Sequence, residues 1–343
     1  MSKANKLKVA LIGAGGDSAG KGLSSGFNTP ASWGLQHARI WATRPDVDFC
    51  AIVGRDLNKT KARADEFGTK AYVDIDEMIN RETPDFVSMC LPNEGHFEAT
   101  LKVIQAGIPL LVEKPLVFEL DEAETLLNEA AKRNLFFAIN FNHRYAKPVQ
   151  LAYKAIKENK LGDLTLASWR FGGEGSPNHP HANLIETQCH GFDMLEYLCG
   201  PIESIMAEMT NKTGNGYRTM CLSLKFSNGA VGSLIGTYDS SYAYRDSHRV
   251  ELDGTAGRAV IHDTVREYNY QATGNETAEV WQAGYFNDMD REFHRTFDRH
   301  VDDLFLTLKT GKQPPIHAIA GQRALLLAHA AIKSFESGNR IKV

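Results

Sequence analysis

Residues 6–16 read KLKVALIGAGG, and the reading of this stretch decides the fold. Val9 to Ile12 form a short apolar run without polar alternation, the pattern of a strand buried on both faces. Gly13, Gly15 and Gly16 come next. Glycines there permit a tight turn and let the backbone approach a pyrophosphate at a helix N-terminus. Glycines also simply end strands, so the surrounding chain has to decide.

The surrounding chain repeats the texture. VDFCAIVG (47–54), PDFVSMCL (84–91), IPLLVE (108–113) and LFFAIN (135–140) are further short apolar runs. Helical stretches alternate with them at 57–68, 94–107 and 119–134, and Gly68 and Gly107 stand where helix C-caps belong. Strand and helix in turn, joined briefly, predict a parallel sheet covered on both sides. The glycine turn departs from standard spacing, because residues 17–31 intervene before the helix SWGLQHARIWATRP (32–45). Without that insertion Gly34 approaches the third-glycine position, with His37 three residues on. The insertion reads as a loop at the mouth of a cofactor site, either a lid or a surface excursion.

The end of the second strand discriminates between dinucleotides. An acid there binds a ribose 2′-hydroxyl, whereas a small residue beside an Arg leaves space and charge for a 2′-phosphate. Gly54, Arg55 and Asp56 stand there. Arg55 favours NADP, while Asp56 remains able to reach a ribose, so NAD stays open.

From about residue 145 the texture changes. A helix (146–159) leads to a strand (164–171), a Gly-, His- and Pro-rich loop (172–183) and a helix (184–200). Alternating strands follow, with Asn228-Gly229 as a hairpin turn in 218–238 and the pattern repeated in 248–263. Helices at about 289–310 and 317–337 close the chain. The expected fold class is α/β: a Rossmann dinucleotide-binding domain (1–144), then an α+β domain with a large, mainly antiparallel open sheet (145–316). The closing helix (317–343) is expected to pack back toward the first domain.

At 343 residues the chain is long enough for two domains. With 43% hydrophobic and 23% charged residues it has ample core material. A formal net charge of −4 gives no footprint for nucleic acid or an anionic membrane. No apolar run approaches the roughly 20 residues of a membrane span, and no cleavage-like site follows the first residues. Five scattered cysteines without CxxC spacing read as reduced thiols, and a cytoplasmic location is expected.

The segment LLVEKPLVF (110–118) sets Glu113, Lys114 and Pro115 at the end of a core strand. A chance surface acid–amine pair seldom interrupts such a strand. In ETQCHGFD (186–193), Glu186, His190 and Asp193 fall at i, i+4 and i+7, on one face of a regular helix. Glu-x-x-x-His can ligate zinc, yet no third ligand stands at a recognisable spacing, and no metal is expected.

The glycine turn, LPNEGH (91–96), EKP (113–115), NFNHRYAKP (140–148) and ETQCHGFD together resemble the Gfo/Idh/MocA family, the glucose–fructose oxidoreductase and inositol dehydrogenase group. The resemblance runs over essentially the whole chain. It implies a tightly held nicotinamide cofactor and hydride transfer at a carbinol of a sugar, cyclitol or related polyol. It implies cofactor contacts from Gly13, Gly15, Gly16, Arg55, Asp56, Leu91, Pro92, Asn93, His96, Glu113 and Lys114. Lys114 is expected in the cleft, stabilising negative charge on the reacting oxygen, and Pro115 stiffens the bend, with a cis bond allowed.

His190 is expected as general base, since an unperturbed imidazole titrates near the working pH. Glu186 stands where the family more often has Asp; with Asp193 it would orient the base or hold hydroxyls. Asn142, His143, His179 and Tyr238 complete the expected substrate contacts, with Asn178, His181 and Tyr242 as weaker candidates. Position 143 is often Arg in inositol-like members, so His143 points to a different substrate. Two rivals share the cofactor: an oxidoreductive glycosidase using transient sugar oxidation, and a non-catalytic dinucleotide sensor. Pairing of subunits through the C-terminal sheet, as dimer or tetramer, is also implied.

Overall fold

The strand that opens the chain is the centre of its sheet. In the computed structural model, which describes residues 6–13, 33–92, 95–175, 179–284 and 292–343, the elements of the first unit alternate in strict order. They are β1 (Leu7–Ile12), α1 (Trp33–Thr43), β2 (Val47–Val53), α2 (Leu57–Phe67), β3 (Lys70–Tyr72), α3 (Ile75–Glu82), β4 (Phe86–Met89), α4 (His96–Gln105), β5 (Leu110–Val112), α5 (Leu120–Lys132) and β6 (Phe137–Ile139). The six strands pair in the order β3-β2-β1-β4-β5-β6, all parallel. The order reverses beside β1, which places the ligand crevice of such a sheet at the carboxyl ends of β1 and β4. Gly68 ends α2 in the left-handed conformation at φ 65°.

β3 and α3 do not emerge from the sequence pattern. β3 is the three-residue edge strand Lys-Ala-Tyr, too short for a period, and α3 has only two buried residues, Met78 and Glu82. What fixes them is tertiary: the Glu82 carboxylate accepts from Lys70 Nζ at 2.9 Å and from the Tyr72 hydroxyl.

The second unit begins with a 3₁₀ turn (Asn142–Tyr145) and α6 (Lys147–Lys157), followed by β7 (Leu164–Gly172), a π-helical turn (Asn183–Thr187) and α7 (Cys189–Cys199). Then come β8 (Ile202–Thr210), β9 (Thr219–Phe226), β10 (Val231–Thr237), β11 (His248–Gly254), β12 (Gly257–His262), β13 (Glu267–Ala272) and β14 (Glu279–Gln282). Helices α8 (Arg295–Lys309) and α9 (Ile319–Ser337) and the strand β15 (Ile341–Lys342) end the chain. Nine strands form one sheet in the order β14-β13-β12-β11-β7-β10-β9-β8-β15. All its pairs are antiparallel except β7 with β10, so the sheet is mixed. Gly229 takes φ 91° in the predicted hairpin turn. α7 covers the inner face of β7, and Gly191 permits the close approach: a Cβ there would lie 2.6 Å from the Trp169 indole nitrogen.

The division of the chain differs from the sequence expectation. The first unit is Met1–Asn140 with Asp303–Gln322, and the second is Phe141–Asp302 with Arg323–Val343. Residues 303–322 belong to the first unit because Phe305 stacks on Trp41 at 5.3 Å and meets Phe86 edge-on at 5.7 Å. Such ring pairs add about 0.5–1.5 kcal/mol each beyond area burial. Ile139 N–H also donates to the Ile316 carbonyl at 3.1 Å, and Ala318 N–H to that of Phe137 at 2.9 Å. Of the closing helix, residues 319–322 fall in the first unit. From Arg323 onward it belongs to the second: Arg323 is ion-paired with Glu196 at 2.8 Å, Ser334 Oγ accepts from Ala207 N–H at 3.1 Å, and β15 pairs with β8. Among the described residues no helix is long and apolar enough to cross a membrane.

Candidate active site

At the carboxyl edge of the first sheet, one residue past each strand continues the ladder. Gly54 N–H donates to the Tyr72 carbonyl, Gly13 to Val53, Cys90 to Ile12, Glu113 to Met89 and Asn140 to Val112, all at 2.8–3.1 Å. This row aligns the segments that the sequence singled out. Gly13 has φ 97°, and a Cβ on it would sit 2.1 Å from the Cys90 carbonyl oxygen and 3.0 Å from the Leu91 side chain. Only glycine serves both demands. Gly15, Gly16, Asn93, Asn178 and the insertion at 17–31 lie outside the described residues.

Gly54 is small for a packing reason, since a Cβ would meet Thr60 Oγ1 at 2.3 Å. Asp56 is the N-cap of α2, and its Oδ1 accepts from Lys59 N–H at 3.0 Å. Arg55 is exposed beside it. The acid available for a ribose is therefore engaged in capping its own helix.

His96 is buried at the start of α4, with Nδ1 2.8 Å from the Leu116 carbonyl oxygen. Facing a carbonyl, Nδ1 carries the proton, which leaves Nε2 as an acceptor. Nε2 has no hydrogen-bond partner among the described residues. Burial, the largest influence, lowers the His96 pKa and keeps the ring neutral. Leu91 is half-buried and Pro92 exposed on the same edge.

Glu113 is a buried strut: its Oε1 lies 2.9 Å from His37 Nε2 and 2.5 Å from Asn140 Nδ2, and His37 Nδ1 is 2.7 Å from Ser88 Oγ. Burial pushes the Glu113 carboxyl up, but the His37 bond and charge, the Lys114 charge and the Asn140 bond outweigh it, so its pKa is lowered. Its Oε2 accepts from Lys114 N–H at 3.3 Å. The carboxylate thus holds the backbone from which Lys114, half-buried, projects. The Lys114–Pro115 bond is cis.

In the second unit the expected single helix is broken. Glu186 sits on the π-helical turn, while His190 and Asp193 lie on α7. The extra backbone residue in a π turn shifts angular register, so the three do not share one face through regular 3.6 periodicity. Asp193 is committed elsewhere: Arg144 binds it through two N–H groups, Nε to Oδ2 at 2.9 Å and Nη2 to Oδ1 at 2.5 Å. Burial pushes the Asp193 carboxyl up despite the guanidinium. Arg144 also lies over the Tyr197 ring at 4.7 Å. This pair joins the 3₁₀ turn to α7.

His143 does meet the base candidate. Its ring stacks on His190 at 4.0 Å with 14° between planes, and Phe141 and Phe293 pack edge-on around the two. Three other expected contacts are differently employed. Asn142 is buried and donates to Thr296 Oγ1 at 2.7 Å. His179 Nδ1 accepts from His181 N–H at 3.1 Å, bracing its own loop. Tyr238 is buried, its hydroxyl 2.6 Å from Thr187 Oγ1, which does not suit an open sugar-binding wall. Tyr242 is exposed.

Sequence reasoning missed Asn140 and His248 as members of these clusters. Asn140 is the residue that ends a buried strand, the position Glu113 also holds. His248 precedes Val250 and Leu252 in β11 at period two, a signal for the inner face. Among the described residues no group of three His, Cys, Asp or Glu is placed to hold a metal ion.

The Gfo/Idh/MocA oxidoreductase family model with its NAD-binding Rossmann fold matches residues 7–141, and that family's C-terminal alpha/beta domain matches 154–343. The chain belongs to this oxidoreductase family. It is 26% identical over 327 residues to the myo-inositol 2-dehydrogenase of Thermotoga maritima, covering 90% of this chain and 95% of that protein. It is 23% identical over 330 residues to the scyllo-inositol 2-dehydrogenase (NAD(+)) of Bacillus subtilis, covering 90% and 93%. A solved levoglucosan dehydrogenase in complex with NADH and levoglucosan shares the fold, with a TM-score of 0.86 at 19% identity over 98% of this chain and 99% of that one.

Proposed function

We propose that this protein transfers hydride between C4 of a nicotinamide dinucleotide and a secondary alcohol carbon of a sugar, sugar derivative or cyclitol. The observation that carries the reading is the placement of Lys114 beyond β5, on the ligand-binding edge of the sheet, with its backbone held by the buried Glu113. Gly13 stands in the turn after β1 where such a sheet takes a pyrophosphate, and His96 Nε2 offers an acceptor to a ribose hydroxyl. The dinucleotide supplies hydride acceptance. In the oxidation direction the carbinol C–H pair leaves as hydride, the hydroxyl proton passes to His190, and Lys114 donates a hydrogen bond to the oxygen as negative charge develops. Glu186 would hold a neighbouring hydroxyl.

The inositol dehydrogenases among the relatives act, by name, on cyclitols, which supports the substrate class. NADP is the favoured dinucleotide because Arg55 is exposed and Asp56 is engaged in capping. Purified protein supplied with NAD or NADP and a panel of sugars and cyclitols is expected to form reduced nicotinamide, followed by its absorbance. Absence of reduction with every member would refute the proposal. A homodimer or homotetramer through the second sheet is part of this reading, supported by the exposed Val231 and Val280 on its strands. A monomer-sized species in light scattering would refute that part.

A further inference from the structure

Gln188 follows the π-helical turn Asn183–Thr187, and both Gln188 and Asn183 are buried. The Gln188 backbone N–H donates to the Asn183 carbonyl at 2.9 Å, the five-residue bond that defines such a turn. Its side chain repeats the link, since Gln188 Nε2 donates to Asn183 Oδ1 at 2.9 Å. The same amide nitrogen donates to the Phe171 carbonyl at 3.4 Å, and Oε1 accepts from the Trp169 indole N–H at 2.9 Å. Asn183 Nδ2 in turn donates to the Arg218 carbonyl at 2.6 Å. The second sheet leaves room for the amide. Gly236 is the register partner of Phe171, and a Cβ on it would lie 2.5 Å from Gln188 Cδ. Thr187, the last residue of the turn, is held as well, its hydroxyl 2.6 Å from that of Tyr238.

Burying a primary amide costs free energy unless its groups are paired, and a π turn gives up regular helical bonding. An apolar residue in a regular helix would meet neither cost. Both fall at the residue that separates Glu186, the proposed hydroxyl holder, from His190, the proposed base. We propose that Gln188 is a positioning residue. By clasping Asn183 twice and anchoring the clasp to β7, it keeps the turn in π register and fixes Glu186 relative to His190. The ligand then has one permitted spacing between the carbinol that gives its proton to His190 and the hydroxyl held by Glu186. An epimer that carries the second hydroxyl elsewhere loses that contact, so the clasp sets stereochemical preference as well as rate.

The inference rests on the hydride-transfer reading above, and a crystal structure of the full-length Gln188→Met variant supplies a readout independent of activity. Met keeps the length of the side chain and removes its amide. The variant is expected to lose the five-residue bond to the Asn183 carbonyl and to shift Glu186 against His190. Its kcat/KM for the best sugar or cyclitol is expected to fall about 10²-fold, with dinucleotide affinity unchanged. Its preference for that ligand over an epimer is expected to shrink. A smaller folded fraction would slow every substrate alike and leave that ratio fixed. In a Glu186→Gln background the same substitution is expected to cost much less, because both act through one carboxylate. Should Gln188→Met fail to fold, Trp169→Phe removes only the indole donor to the amide. It is expected to give a smaller loss with the same change in the epimer ratio. An unaltered π turn, an unchanged epimer ratio or additive effects would overturn the proposal and leave Gln188 a packing residue. A wild type that reduces no dinucleotide with any member of the panel would refute the hydride-transfer reading, and the place of Glu186 in the variant crystal would still decide whether Gln188 positions it.

Discussion

Nε2 of His37 lies 2.9 Å from Oε1 of Glu113, both side chains buried, tying α1 to the residue that follows β5. With Asn140 on the same oxygen and Ser88 behind the imidazole, this carboxylate is the hub of the first unit's polar interior. His37→Leu leaves Glu113 with a lost partner in a dry site, and is expected to cost about 2–4 kcal/mol of stability, measured by denaturant unfolding.

The same hub sets a pH dependence. Because the folded pKa of Glu113 lies below the ordinary 4.5, its stabilisation is fully present above that value and lost as pH falls through the folded pKa. The unfolding temperature of the wild type is expected to fall as pH drops below 4.5, with a shallower fall in Glu113→Gln. Parallel slopes would remove Glu113 as a source of the acid lability.

Lys114→Ala removes the proposed donor to the reacting oxygen while leaving the Glu113 bond to the residue's backbone N–H in place. Turnover is expected to fall about 10²–10³-fold, with dinucleotide affinity in fluorescence titration retained. Equal turnover in the variant would refute the role.

His190→Asn abolishes proton acceptance. The rate is expected to drop about 10²–10⁴-fold, and the acidic limb of the kcat/KM profile against pH is expected to disappear. Retention of that limb would assign it to another group.

Arg55→Ala tests the dinucleotide preference. KM for NADP is expected to rise about tenfold, for one exposed charge contact with a phosphate, while KM for NAD is little changed. An equal effect on both would leave Arg55 without a phosphate-recognising role.

The Arg144–Asp193 pair separates structure from chemistry. Asp193→Ala strands a guanidinium beside α7 and is expected to cost about 3 kcal/mol or more in unfolding free energy. Its loss of turnover is expected to be smaller than that of His190→Asn, because Asp193 gives both oxygens to Arg144.

Much of this was legible along the chain. The largely apolar runs of β1, β2, β4, β5 and β6 identify buried parallel strands, and Gly13 and Lys114 are conspicuous because they follow directly where those runs end. Periodicity is a local property, so it carries that much. It does not say that His37 and Glu113, 76 positions apart, meet within hydrogen-bond reach, or that Asp193 serves Arg144, 49 positions away. Nor does it reveal the π turn on which Glu186 sits, the return of Phe305 to Trp41, or the unsatisfied nitrogens of His248. Those depend on which side chains meet after the backbone has closed. A buried polar atom takes its partner from whatever packing brings within hydrogen-bond reach, and that distance exists only in the folded molecule.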